Sequence, residues 1–110
     1  MEKRFKIKAS DIKVLAEGYG YGLATNRITV DGMKVGYMYR EGPDNDTDSG
    51  WRFFSGDESD DYVNDPANVG LYEINTIANY DPGIIPFLDA EIGSQYERNP
   101  YSDSFLLVED

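Results

Sequence analysis

The 110-residue sequence contains no cysteine and no histidine. It therefore offers no thiol nucleophile, no imidazole base and no zinc site of the usual nitrogen and sulfur type. Its fold must also stand without disulfides. Long apolar runs are missing too. No stretch approaches the roughly 18 residues that a membrane span needs, and the basic N-terminus, Met1 to Lys8, lacks the apolar centre of a signal peptide. These absences read as a soluble, cytoplasmic chain that does not enter a membrane. Basic residues are scarce, ten against 21 acids, for a net charge of −11. Nucleic-acid binding depends on lysine and arginine displacing counterions from phosphates, so the balance argues against a nucleic-acid partner and for a basic protein one.

What is present suits one domain spanning residues 1–110, with 40% hydrophobic and 14% aromatic residues to build a core. The acids are unevenly placed. Residues 41–65 hold nine acids against Arg52 alone, whereas residues 1–14 carry five bases against Glu2 and Asp11.

Local patterns predict an α+β fold, a mainly antiparallel sheet with short helices packed on one face. Asp31-Gly32, between Asn26–Val30 and Met33–Tyr39, predicts a two-residue hairpin. Its register would pair Val30 with Met33, Ile28 with Val35, Asn26 with Tyr37 and Ala24 with Tyr39, leaving Thr25, Arg27, Thr29, Lys34, Gly36 and Met38 on the wet face. Trp51 to Ser55 predicts an inner strand, with Trp51 and Phe53 on one face and Arg52 and Phe54 on the other. The wholly polar run Glu41 to Gly50 predicts an exposed loop. A short helix is expected within Asp57 to Asn64, capped by Ser55 or Ser59 and ended by Asp65-Pro66. A strand follows at Val69 to Tyr72. Leu71, Ile74, Ile77 and Ala78 have the spacing of one helical face, and Asp81 would cap a second helical piece begun by Pro82 and kinked at Pro86. Ser10-Asp11 before Ile12 to Ala16 predicts a short capped helix, and Phe105 to Val108 a last strand.

Four groups of residues are candidates for function. Asp44, Asp46 and Asp48 alternate as calcium-binding oxygens do, but an EF-hand loop counted from Asp44 would need glycine at Ser49 and glutamate at Ser55, so no metal site is predicted. Gly18-Tyr-Gly-Tyr-Gly22 superficially resembles a phosphate-binding loop. The dinucleotide motif requires a helix next, whereas a strand is expected after Gly22, so the segment reads as the lead into that strand with its tyrosines over the sheet. Paired carboxylates at Asp57/Glu58 and Asp60/Asp61 could serve a hydrolase, yet nothing in the sequence fixes their separation or raises a pKa. The segments bordering the acidic loop combine Tyr39, Arg40, Trp51, Arg52 and Phe54, residue types that dominate binding hot spots, with a rim of carboxylates.

Several strings also resemble a known family. Asn26 to Gly32, Val35 to Glu41, Asp48-Ser-Gly-Trp-Arg-Phe-Phe-Ser-Gly-Asp-Glu58 and Asn75-Thr-Ile-Ala-Asn-Tyr-Asp-Pro82 are similar, in the same order from about residue 10 to 98, to the DUF2185 family of small bacterial proteins. That family is grouped with predicted immunity proteins of polymorphic toxin systems. The resemblance implies binding and inhibition of a cognate toxin; no reaction and no catalytic residues are established for that family, and no cofactor is expected here.

Composition predicts a non-enzymatic protein-binding domain with an acidic, aromatic-centred surface, and the resemblance implies that its partner is a toxin that it neutralises. The predicted contact residues are Tyr39, Arg40, Glu41, Asp44, Asp46, Asp48, Trp51, Arg52, Asp57 and Glu58. A small-molecule or metal-binding regulatory module is the alternative.

Overall fold

A computed structural model describes residues 4–99, 101 and 104–108; Met1 to Lys3 of the basic end lie outside them. Six strands form one sheet: β1 (Tyr21–Thr25), β2 (Tyr37–Arg40), β3 (Asp48–Phe54), β4 (Val69–Glu73), β5 (Gln95–Arg98) and β6 (Phe105–Leu107). Their order across the sheet is β4-β1-β3-β2-β5-β6. β1 runs parallel to β3, and every other neighbouring pair is antiparallel. Three short helices join them: α1 (Asn26–Thr29), α2 (Asp60–Val63) and α3 (Ile74–Tyr80), with tight turns of helix at Ala9–Asp11, Pro66–Asn68 and Pro82–Phe87. The α+β class with a mainly antiparallel sheet is what the sequence predicts.

Because side chains alternate across a pleated strand, the register defines two faces. Ala24, Met38, Trp51 and Phe53 share the first, and all four are buried. Against them pack Ile28 from α1, Ile74, Ile77 and Ala78 from α3, and Ile84 and Leu88 from the Pro82 segment and its end. Ile74, Ile77 and Ala78 fall at i, i+3 and i+4, the stripe that a helix lays on a sheet. The Trp51 indole N–H donates to the Leu88 carbonyl at 3.1 Å, so its one polar atom is satisfied. Burying Trp51 and Phe53 contributes about 1.5–3 kcal/mol each.

Most expected elements are present. β3 is an inner strand, Ser59 caps α2 by accepting from the Tyr62 N–H, and Asp81 caps the Pro82 segment by accepting from the Gly83 N–H. Asp81 also takes Arg98 as an ion-pair partner and accepts from the Val35 N–H, which ties β5 to the helical layer.

Four expectations fail. The Asp31-Gly32 hairpin does not form, because Asn26 to Thr29 is helix and pairs with no strand. Ile28 and Thr29, neighbours in sequence, are both fully buried, which an alternating half-wet strand cannot provide. Gly32 instead ends the helix with φ +79°, and the Gly32 and Met33 N–H groups donate back to the Ile28 and Arg27 carbonyls. Met38, expected on the wet face, is fully buried because β2 takes its register from β3, where Met38 lies opposite Phe53. Residues 12–16 are not helical either. The N–H groups of Lys13, Leu15 and Ala16 are taken by Asn79 and Asn75 of α3, so the segment lies along that helix. Leu71, placed by its spacing on the helical face, is on β4 and exposed.

Candidate functional site: the open face of the sheet

The second face of the sheet is not covered by α1 or α3. Across it the register aligns Leu71, Leu23, Arg52, Tyr39 and Gln95 in one row, and Phe54, Tyr37, Glu97 and Leu106 in the next. Leu71 and Leu106 are exposed, while Leu23, Tyr37, Tyr39 and Phe54 are half-buried. The Tyr39 and Phe54 rings stack at 5.8 Å with planes 13° apart, and Tyr37 stands 5.9 Å from each. This three-ring shelf is the apolar centre of the face.

Carboxylates border the shelf. Tyr37, Tyr39 and Phe54 line a shallow cavity of about 290 Å³ with Gly56, Glu58, Asp60 and Val63. A second hollow of about 110 Å³, on the other side of Tyr39, reaches Glu41 and Arg52. A wider trough beyond Tyr37 is lined by Asp57, Glu97 and Met33, among others.

The floor is held by a buried ion pair. Arg52 donates two hydrogen bonds of 2.8 Å to Asp48, Nη1 to Oδ1 and Nη2 to Oδ2, and its Nε donates to Glu41 at 2.6 Å. Arg52 also donates to the Trp51 carbonyl and is 3% exposed, so its charge is used inside the fold. The Arg52 hydrogen bonds, opposed by burial and aided by the Asp44 and Gly50 N–H groups, hold the Asp48 carboxyl well below the usual range. Asp48 in turn raises the already high pKa of Arg52. Burial, then the neighbouring charge of Glu41, raises the Tyr39 phenol, which stays neutral at physiological pH.

The predicted contact residues divide accordingly. Tyr39, Glu41 and Glu58 meet at the open face, and Asp44 and Asp46 are exposed on the adjoining loop. Asp57 is exposed, accepts from the Ser55 hydroxyl and lies 3.7 Å from Arg27. Trp51 is fully buried beneath the opposite face, so it belongs to the core. Arg40 shares that side: it donates to the Ser49 and Ala90 carbonyls and lies over the Trp51 ring. Asp48 and Arg52 are interior, and the loop expected from Glu41 to Gly50 ends at Thr47, where β3 begins. With both Asp48 oxygens engaged by Arg52, the Asp44, Asp46, Asp48 triplet is not a preformed cation cage. Tyr37, Phe54 and Asp60 complete the face; Phe54 is among the hot-spot types and Asp60 among the paired carboxylates of the sequence, but none of the three is in the predicted contact set. Alternation supplies the missing signal, since Tyr37 shares a face with Tyr39, and Phe54 with Arg52.

The Gly18 to Gly22 segment leads directly into β1 and opens no helix, as its sequence context indicates. Among the described residues, no helix is long and apolar enough to cross a membrane.

Comparison with known proteins adds one finding. The model of the immunity protein Imm33 domain matches residues 22–108. No curated protein and no solved structure matches the chain. The match takes in all of the sheet except Tyr21 at the start of β1, and the chain belongs to the Imm33 immunity-protein family.

Proposed function

We propose that this chain is a cytoplasmic, non-enzymatic immunity protein that neutralises a cognate toxin by covering a basic surface of it with the open face of the sheet. Family membership supports a toxin as the partner. The observation that carries the choice of surface is the half-buried shelf of Tyr37, Tyr39 and Phe54, left uncovered by the helical layer and bordered by Glu41, Glu58 and Asp60. An apolar aromatic centre with a charged rim is the composition of a binding hot spot. The net charge of −11 would speed encounter with a positively charged partner and disfavour wrong ones. Inhibition of this kind needs no catalytic group: it places a folded surface where the substrate would bind.

Affinity capture from the native cell with mass spectrometry identifies the partner, and co-expression of that toxin with this chain measures protection. Restored survival supports the reading. Undiminished killing, with the chain folded and abundant, overturns it.

A further inference from the structure

Glu58 is a half-buried carboxylate that forms no ion pair with a lysine or arginine among the described residues. Its Oε2 accepts from the Thr25 hydroxyl at 2.5 Å and the Ser55 N–H at 2.8 Å, and its Oε1 accepts from the Gly56 N–H at 2.9 Å. These donors, with the Glu58 backbone N–H, fix the group in place. Burial pushes its pKa up, but the Thr25, Ser55 and Gly56 hydrogen bonds outweigh burial and keep it below the ordinary value.

The other buried carboxylates are treated differently. Asp48 is paired with Arg52 and Asp81 with Arg98. Among the described residues, no lysine or arginine forms an ion pair with Glu58. Instead, Glu58 lines the cavity that Tyr37, Tyr39 and Phe54 also line. A fixed negative charge lining the same cavity as stacked rings is the environment that a guanidinium satisfies with both of its surfaces. Its flat face stacks on an aromatic ring while its edge donates to carboxylates.

We propose that this cavity receives one arginine side chain of the partner toxin, stacked on the Tyr39 and Phe54 rings and hydrogen-bonded to Glu58, with the exposed carboxylate of Asp60 as second acceptor. The proposal rests on the immunity reading for the source of the arginine. Arginine is favoured over lysine because its plane is more weakly hydrated and matches the rings, whereas an ammonium is a compact and strongly hydrated charge.

A probe without the toxin tests the cavity separately. The protein is titrated with the peptide acetyl-Gly-Arg-Gly-amide, and with the same peptide carrying uncharged citrulline, while the ring resonances of Tyr37, Tyr39 and Phe54 are followed by NMR. The arginine peptide should shift those resonances and bind about tenfold more tightly than the citrulline peptide. Glu58→Gln should remove most of that difference. Asp60→Asn, a change at an exposed position, should reduce it by about half with the fold unaltered, so the proposal remains testable if Glu58→Gln misfolds. Unmoved rings, or equal response to the two peptides, would overturn the proposal while leaving toxin protection to be judged by survival. Loss of protection with the ring response intact would instead overturn the immunity reading.

Discussion

Asp48 and Arg52 lie four residues apart on one strand and still close a two-point ion pair, at 2.8 Å on each side, with neither side chain more than 5% exposed. In a regular strand, four residues span about 13 Å, too far for this contact. β3 achieves it by bulging: Asp48 and Arg52 lie opposite Tyr21 and Leu23, so four steps on β3 match only two on β1. Gly50 permits the bend with φ +89°, and a Cβ there would collide with the Glu41 carbonyl. The string Asp-Ser-Gly-Trp-Arg thus encodes a kinked strand whose ion pair supports the floor of the open face.

Removing Asp48 strips the buried Arg52 of its two-point partner and leaves the guanidinium to the half-exposed Glu41 and the exposed Asp44. Asp48→Ala should therefore lower stability by about 3–5 kcal/mol, whereas Asp44→Ala, on the exposed loop, should change it by less than about 0.5 kcal/mol. Urea unfolding monitored by Trp51 fluorescence measures both.

The same pair makes stability depend on acid. Asp48 and Glu58 have folded pKa values below their ordinary ones, so the unfolded chain binds more protons as pH falls through the carboxylate range. Their contribution is complete above about pH 5 and shrinks steadily below about pH 4, from the unfolded pKa toward the depressed folded one. The urea midpoint of the wild type should fall over that interval. Asp48→Asn should start less stable and show a shallower fall.

Asn75 offers a test of how the N-terminal segment is held. Its side chain accepts from the Leu15 and Ala16 N–H groups and donates to the Lys13 carbonyl. Asn75→Ala removes all three bonds and should cost about 1–3 kcal/mol. Amide exchange should speed up at Leu15 and Ala16 while remaining slow in β3.

The layered architecture was legible in the sequence because burial leaves a periodic trace. Trp51 and Phe53 alternate with Arg52 and Phe54, and Ile74, Ile77 and Ala78 recur at helical spacing. The ends of α2 and the Pro82 segment were legible through Ser59, Asp81 and the prolines. Asp31-Gly32 was not, because a positive-φ glycine serves a hairpin and a helix end equally well. Only the tertiary burial of both Ile28 and Thr29 decides between them. The acidic, aromatic character of the candidate site was visible, but the wrong ring stood at its centre. Trp51 has the composition of a hot spot, yet its face is chosen by β3's place in the sheet, and the same parity that buries Trp51 brings Phe54 to the surface.

The central claim is that the ringed, acid-bordered face, rather than net charge alone, engages the toxin. Asp60→Lys beside the shelf and Asp11→Lys, on the exposed N-terminal turn, change the net charge equally, so the toxin association rate of each over a range of salt concentrations separates the two explanations. The account predicts that Asp60→Lys slows association about tenfold at low salt and flattens its salt dependence, while Asp11→Lys stays within about twofold of the wild type. Equal effects of the two substitutions, or none from Asp60→Lys, would contradict it.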